Sequence, residues 1–164
     1  MGVAQHRLRN EAWGFESNCF VCEPTNGVGL KLAFTHDDEA AVVRSEFSLD
    51  EAFSGAPSLV HGGVVLAVLD EAQACATIAM AGRFAVTTET TSRFVRPVRL
   101  RRTYTVEATV TGNDGRRLTT AARVLDHRAR VCVDSQAVFT VMSEAVAARA
   151  IGPLNEHDAA FLED

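Results

Sequence analysis

The sequence predicts an α+β chain in which an antiparallel sheet curls around one central helix. Three observations predict it. Apolar residues fill most of the helical circumference of residues 64–80, the second half alternates with period two, and Asn113-Asp114-Gly115 sits between two of the alternating runs as a hairpin turn. A length of 164 residues suits one domain and buries roughly 70% of the unfolded surface without disulfide staples. Sixteen Lys and Arg against twenty-one Asp and Glu give a net charge of −5, which argues against a nucleic-acid-binding face. Apolar and charged shares of 47% and 23% belong to globular chains, not to disordered ones.

Residues 1–18 read as an N-terminal arm, with Trp13 and Phe15 scattered among polar residues, and Pro24-Thr25-Asn26-Gly27 as a turn after it. Residues 30–34 and 42–49 read as two strands, separated by the polar break Thr35-His36-Asp37-Asp38-Glu39. Residues 53–58, with Ser54, Gly55 and Pro57, read as a loop. In residues 64–80, Val65, Leu69, Ala72 and Ala76 follow helical spacing, while Leu66, Val68, Cys75 and Ile78 extend the apolar surface around the helix. Gly82 is placed to end it in the left-handed conformation. A long strand is expected over residues 84–98, stopped at Pro97. Three strands around 104–111, 116–125 and 131–141 follow, joined by tight turns. The main domain spans residues 19–143, and residues 144–164 form a short helix and a tail that is frayed over 155–164.

Residues 1–10 carry Arg7 and Arg9 but no apolar run, and the most apolar stretch contains Asp70 and Glu71, so neither a signal peptide nor a membrane span is expected. Four cysteines in such a chain are expected to be reduced thiols of a cytoplasmic protein. One helix cannot cover a whole sheet face, and an open antiparallel sheet leaves an edge, so a homodimer or a dimer of dimers is expected.

Asp70 stands within the apolar helix, where a buried carboxylate needs a partner or a purpose. Nine residues upstream, His61-Gly62-Gly63 opens the same helix, about 13 Å away along the axis. Two glycines there let a ligand oxygen approach the N–H groups at the positive end of the helix dipole, an arrangement suited to an oxyanion. His61 either orients the turn, contacts substrate or donates a structural hydrogen bond. Glu71 projects about 100° from Asp70 and reads as a partner for an arginine. Arg93, Arg96, Arg99, Arg101 and Arg102 form the basic cluster of an acidic chain, fit for phosphates or for a solvated strand edge. Cys19 and Cys22 make half of a zinc motif with no second pair after it, so no metal is assigned.

Val60-His61-Gly62-Gly63-Val64-Val65-Leu66-Ala67-Val68-Leu69-Asp70-Glu71-Ala72, followed by Thr91-Ser92-Arg93-Phe94-Val95-Arg96-Pro97-Val98, resembles the PaaI-like class of hotdog-fold acyl-CoA thioesterases over roughly residues 19 to 142. The resemblance implies hydrolysis of acyl-CoA to free acid and CoA without a cofactor. Asp70 would be the general base or nucleophile, and the N–H of Gly62 or Gly63 would polarise the thioester oxygen across a subunit interface. His61 would stand beside them, Thr87 or Thr88 would assist, and Arg96, Arg101, Arg102 and Thr88 would bind substrate. Some class members carry an Asn before the His-Gly-Gly; Gly55-Ala56-Pro57-Ser58-Leu59 holds none, so that role has no carrier. Cys19-Phe20-Val21-Cys22 with Asn26 and Gly29-Leu30 resembles the lead-in of one subgroup, with Glu23 and Gly27 in place of Gly and Pro. The alternatives are a hotdog that binds acyl-CoA as a sensor or scaffold, and a thioesterase acting on acyl carrier protein.

Overall fold

A computed structural model describes residues 5–13 and 17–151; Phe15 and the tail at 155–164 lie outside the described residues. Strands β1 (Gln5–Arg7), β2 (Thr35–Asp37) and β3 (Val42–Phe47) precede a small hairpin of β4 (Ser54–Ala56) and β5 (Leu59–Val60). Helix α1 (Gly62–Ala81) follows, then β6 (Ala85–Phe94), β7 (Tyr104–Asn113), β8 (Arg117–Asp126), β9 (Val131–Val141) and α2 (Glu144–Ile151). Seven strands form one antiparallel sheet in the order β1-β2-β3-β7-β8-β9-β6. The sheet curls around α1, which is the hotdog architecture.

The alternating strands arise as their pattern requires. Along β7, Tyr104, Val106 and Ala108 are buried while Thr105, Glu107 and Thr109 are less so, the period-two signature of a sheet with one packed face. Gly115 takes φ +86° in the turn to β8, where residues with side chains are strained. Asp114 accepts from the N–H groups of Arg116 and Arg117 at 2.9 and 2.7 Å.

Helix α1 would pass for a membrane span by length and composition, yet here it is the core. Val65, Val68, Leu69, Ala72 and Ala76 are at most 1% exposed, and burying a Val or Leu side chain contributes about 1.5–3 kcal/mol. Gly82 caps it at φ 60° with its N–H on the Ile78 carbonyl, as the sequence predicts. Buried Gln73 donates to Thr120 Oγ1 on β8 at 2.9 Å, and no buried side-chain polar atom among the described residues lacks a partner. Leu69→Ala is expected to lower stability by about 2–5 kcal/mol, because so enclosed a site cannot collapse around the loss; urea unfolding measures it.

Five sequence expectations are corrected. The strand expected over 30–34 lies instead at Thr35–Asp37, inside the polar break. Leu30 and Leu32 direct their N–H groups to the carbonyls of Phe20 and Val21, and the Phe34 carbonyl accepts from Leu8, so the N-terminal segment occupies that backbone. The arm is accordingly not wholly irregular, since β1 pairs with β2. The loop at 53–58 contains the first strand of a hairpin turning at Pro57-Ser58. The strand at 84–98 ends at Phe94, where the Val95 and Arg96 N–H groups both turn to the Cys132 carbonyl, and the Val98 carbonyl then accepts from Val60. Finally, α1 is not wrapped on all sides: Gly62, Leu66 and Asp70, spaced four apart on one stripe, are exposed in the protomer.

Candidate active site

The exposed stripe of α1 begins at its cap. His61 is the N-cap, extended at φ −59° and ψ 131°, and its Nδ1 accepts the Gly63 N–H at 3.0 Å. The imidazole is therefore an acceptor here, not the donor considered from sequence, and its proton sits on Nε2. This cap consumes the Gly63 N–H. Gly62, the first helical residue, keeps an N–H with no protein acceptor among the described residues, so of the two glycines it is Gly62 that can offer a donor to a ligand.

Steric surroundings sort the glycines the same way. A Cβ on Gly63 would press on the His61 ring at 3.2 Å, whereas one on Gly62 would meet only Phe94 Cζ at an ordinary 3.8 Å. Protein packing thus demands a small residue at Gly63 but not at Gly62. Gly55 in β4 supports the cap from behind, because a Cβ there would stand 2.9 Å from the His61 Cα. Gly55→Ala is expected to cost about 1–3 kcal/mol as the backbone shifts to relieve the overlap, read as a lowered Tm.

Two turns along, Asp70 Oδ1 accepts a hydrogen bond from Thr87 Oγ1 of β6 at 2.6 Å. The sequence left Thr87 and Thr88 undivided; the structure divides them. A bulge follows Thr87, and neighbouring strand residues face opposite ways. Thr88 Oγ1 lies on the Val138 carbonyl at 3.0 Å and beside Thr140 Oγ1, away from Asp70. The expectation that Asp70 is buried is overturned in the protomer, where it is exposed.

The arginines separate as well. Arg96, Arg99 and Arg102 line a groove of about 330 Å³ with Tyr104, His127 and Arg130. Arg130 pairs with Asp126 at 2.7 Å and holds that carboxyl well below the usual range, leaving the other three arginines to set the positive charge. Arg101 is not among the lining residues; it pairs with Glu51 at 2.8 Å. Arg93 pairs with Asp134 at 3.3 Å. Sequence reasoning missed His127 and Arg130, which lie in the turn between β8 and β9 and approach the cluster only through sheet pairing. The groove opens two residues beyond Phe94, whose ring stands against Gly62, so the arginine groove and the Gly62 N–H lie toward the same end of β6.

Glu71 does not pair with an arginine, contrary to the sequence expectation. It turns inward to Cys19 and Cys22, where burial and then the neighbouring Cys19 charge push its carboxyl up to about 7. Hydrogen bonding from Cys22 lowers Cys19, and the same contact raises Cys22. Among the described residues this is the group with the donor set to hold a metal ion.

Residues 58–133 match the sequence model of the Thioesterase superfamily. That stretch contains the His61 cap, Gly62, Asp70, Thr87 and the arginine groove as far as Cys132. Residues 58–133 carry a thioesterase-superfamily domain. Solved structures agree with this assignment. A crystal structure of a thioesterase superfamily protein is 27% identical with a TM-score of 0.66, over 71% of this chain and 57% of that one; the match thus spans little more than half of that relative. The Escherichia coli PaaI protein of the phenylacetic acid degradation operon is 18% identical, with TM-score 0.58 over 62% of this chain and 73% of its own. A hypothetical thioesterase protein of Streptococcus pneumoniae TIGR4, solved with coenzyme A, is 12% identical, with TM-score 0.59 over 62% of this chain and 82% of its own. The last two show the hotdog fold of the thioesterase-superfamily domain. A search of curated proteins finds no match.

Proposed function

We propose that this thioesterase-superfamily protein hydrolyses acyl-CoA thioesters, with Asp70 as the reacting carboxylate and the Gly62 N–H as the oxyanion donor. The observation that carries the reading is the 2.6 Å bond from Thr87 to Asp70 on the exposed stripe that starts at Gly62. A carboxylate held by one hydroxyl keeps its second oxygen for a proton. In the general-base route that oxygen takes a proton from water while the water oxygen bonds to the thioester carbon. Negative charge collects on the carbonyl oxygen against the Gly62 N–H. Collapse breaks the C–S bond, and the departing thiolate receives the proton that Asp70 took. In the nucleophilic route Asp70 itself bonds to the carbon, the C–S bond breaks as the thiolate leaves, and water then cleaves the anhydride at the Asp70 carboxyl carbon. A single turnover in ¹⁸O-water separates them, since only the second leaves label in Asp70.

Gly62 and Asp70 lie eight residues apart, about 12 Å along the helix, too far to serve one carbonyl within one protomer. Two copies meeting across this face bring Asp70 of one to Gly62 of the other. Support comes from the unpaired edge of β6 and from Leu66, Val86, Phe94 and Val95, all more than a third exposed, an apolar surface of the kind that marks association. Light scattering is expected to give at least twice the 17.7 kDa chain mass; a monomer at micromolar concentration would overturn the shared site. The S. pneumoniae relative solved with coenzyme A supports CoA as the carrier, and the groove of Arg96, Arg99 and Arg102 fits its phosphates. Replacing those three by Ala is expected to raise KM with little change in kcat and to flatten its salt dependence. Arg101→Ala, which frees only Glu51, is expected to leave KM unchanged. A panel of acyl-CoA and acyl carrier protein thioesters, assayed by thiol release, tests the activity itself.

A further inference from the structure

The proposed hydrolysis makes no use of Cys19-Phe20-Val21-Cys22, yet the chain folds it with care. The N–H groups of Val21 and Cys22 both point at Cys19 Sγ, at 3.3 and 3.4 Å, a backbone cradle that stabilises a thiolate. Asn10 Nδ2 donates to Cys22 Sγ at 3.5 Å. Glu71, from the first half of α1, comes to the same point, so that one ligand atom from each of Cys19, Cys22 and Glu71 lies within 4.8 Å of the other two. Cys75, one turn further along α1, has its Sγ 3.9 Å from Glu71 Oε1. No Lys or Arg forms a salt bridge with Glu71 among the described residues. Two sulfur atoms from the lead-in and a carboxylate oxygen from α1, segments distant in sequence, thus converge in one half-buried place.

We propose that Cys19, Cys22 and Glu71 form a binding site for one thiophilic divalent cation of the zinc type. Two thiolates select such an ion over calcium or magnesium. Tetrahedral zinc with sulfur at about 2.3 Å and oxygen at about 2.1 Å needs ligand atoms less than about 4 Å apart, which small side-chain rotations achieve from the present spread. A water would complete the tetrahedron, and a cavity of about 50 Å³ beside Cys22 and Cys75, lined also by Arg7, Arg9, Asn10 and Lys31, has room for it. Binding displaces the remaining ligand protons to solvent. The ion pins the lead-in segment at Cys19 and Cys22 to the helix residue next to Asp70, and this role is independent of the reaction proposed above.

The test uses the full chain, purified reduced, stripped with chelator and titrated with Zn²⁺ and with Co²⁺. One equivalent is expected to bind, with the thiolate-to-metal absorption of a tetrahedral Co²⁺ site. At a hundredfold excess over Kd the unfolding midpoint is expected to rise by roughly 5–10 °C. Cys22→Ser and Glu71→Gln are each expected to weaken binding at least tenfold, whereas Cys132→Ser on β9 keeps the wild-type stoichiometry and affinity. No uptake of either ion by the wild type, a Cys19–Cys22 disulfide as the stable form in the presence of Zn²⁺, or undiminished binding by both ligand variants would each overturn the site. Should a variant fail to fold, the Co²⁺ spectrum of the wild type decides alone: thiolate charge transfer supports the site and its absence refutes it.

Discussion

Asp70→Asn lowers kcat for acyl-CoA hydrolysis by about 10²- to 10⁴-fold, the usual cost of removing a general base, while acyl-CoA still binds. The amide oxygen of Asn can accept the Thr87 hydroxyl as Asp70 Oδ1 does at 2.6 Å, so the side chain keeps its place and loses its basicity. Folding is unaffected for a reason the exposure of Asp70 supplies: an exposed carboxylate carries little desolvation energy, and surface substitutions shift stability by within about 0.5 kcal/mol. Thr87→Val is the companion variant. It leaves the carboxylate but frees its orientation, and a smaller loss is expected, mainly in kcat. Wild-type turnover by Asp70→Asn would end the mechanism. Binding of CoA derivatives with hydrolysis by neither protein would instead favour a sensor.

Gly62→Pro lowers kcat by about 10²- to 10³-fold, the range for loss of one oxyanion donor. Proline is normally a crude tool, but here it removes one N–H and little else. Gly62 is the first residue of α1, the position where proline is favoured because no intrahelical bond uses its N–H. His61 before it is already extended, as a residue preceding proline must be. Gly62→Ala is the control. It retains the N–H and brings a methyl to ordinary contact with Phe94, so it should keep most of the activity. An equal loss in both variants would show that crowding matters and the donor does not. Thermal unfolding of both near the wild-type midpoint checks that the helix start survives.

The fold was legible where one physical signal dominates. Alternation along β7 to β9 and the Asn113-Asp114-Gly115 turn are local, and the helix end at Gly82 is written in a single residue. The strand at Thr35–Asp37 was not, because its polar composition argues for a loop and only competition from the Phe20, Val21 and Leu8 backbone moves the pairing there. In the site, the sequence offered Thr87 and Thr88 together, and the structure sets Thr87 against Asp70. Which threonine faces Asp70 depends on a bulge that two identical neighbours cannot reveal. The commitment of the Gly63 N–H to His61 is likewise a matter of rotamer, not of sequence. Glu71 was misassigned because helical geometry gives the direction of a side chain but not what the distant residues 19–22 place in its path.

The Gln73–Thr120 bond bears on why the reacting stripe faces outward at all. A cylinder that is apolar nearly all round can be turned about its axis with small change in hydrophobic energy, so the fold alone offers α1 several rotational phases of similar free energy. The polar groups of the helix break that degeneracy: the Asp70 carboxylate resists burial, and the enclosed Gln73 amide needs its partner. In any other phase the Gln73 side chain would be separated from Thr120, at a penalty of about 1–3 kcal/mol for an orphaned buried group, enough to favour one setting by roughly fivefold or more. Gly62, Leu66 and Asp70 ride on the same rigid rod, so a buried residue further along it helps to set their azimuth.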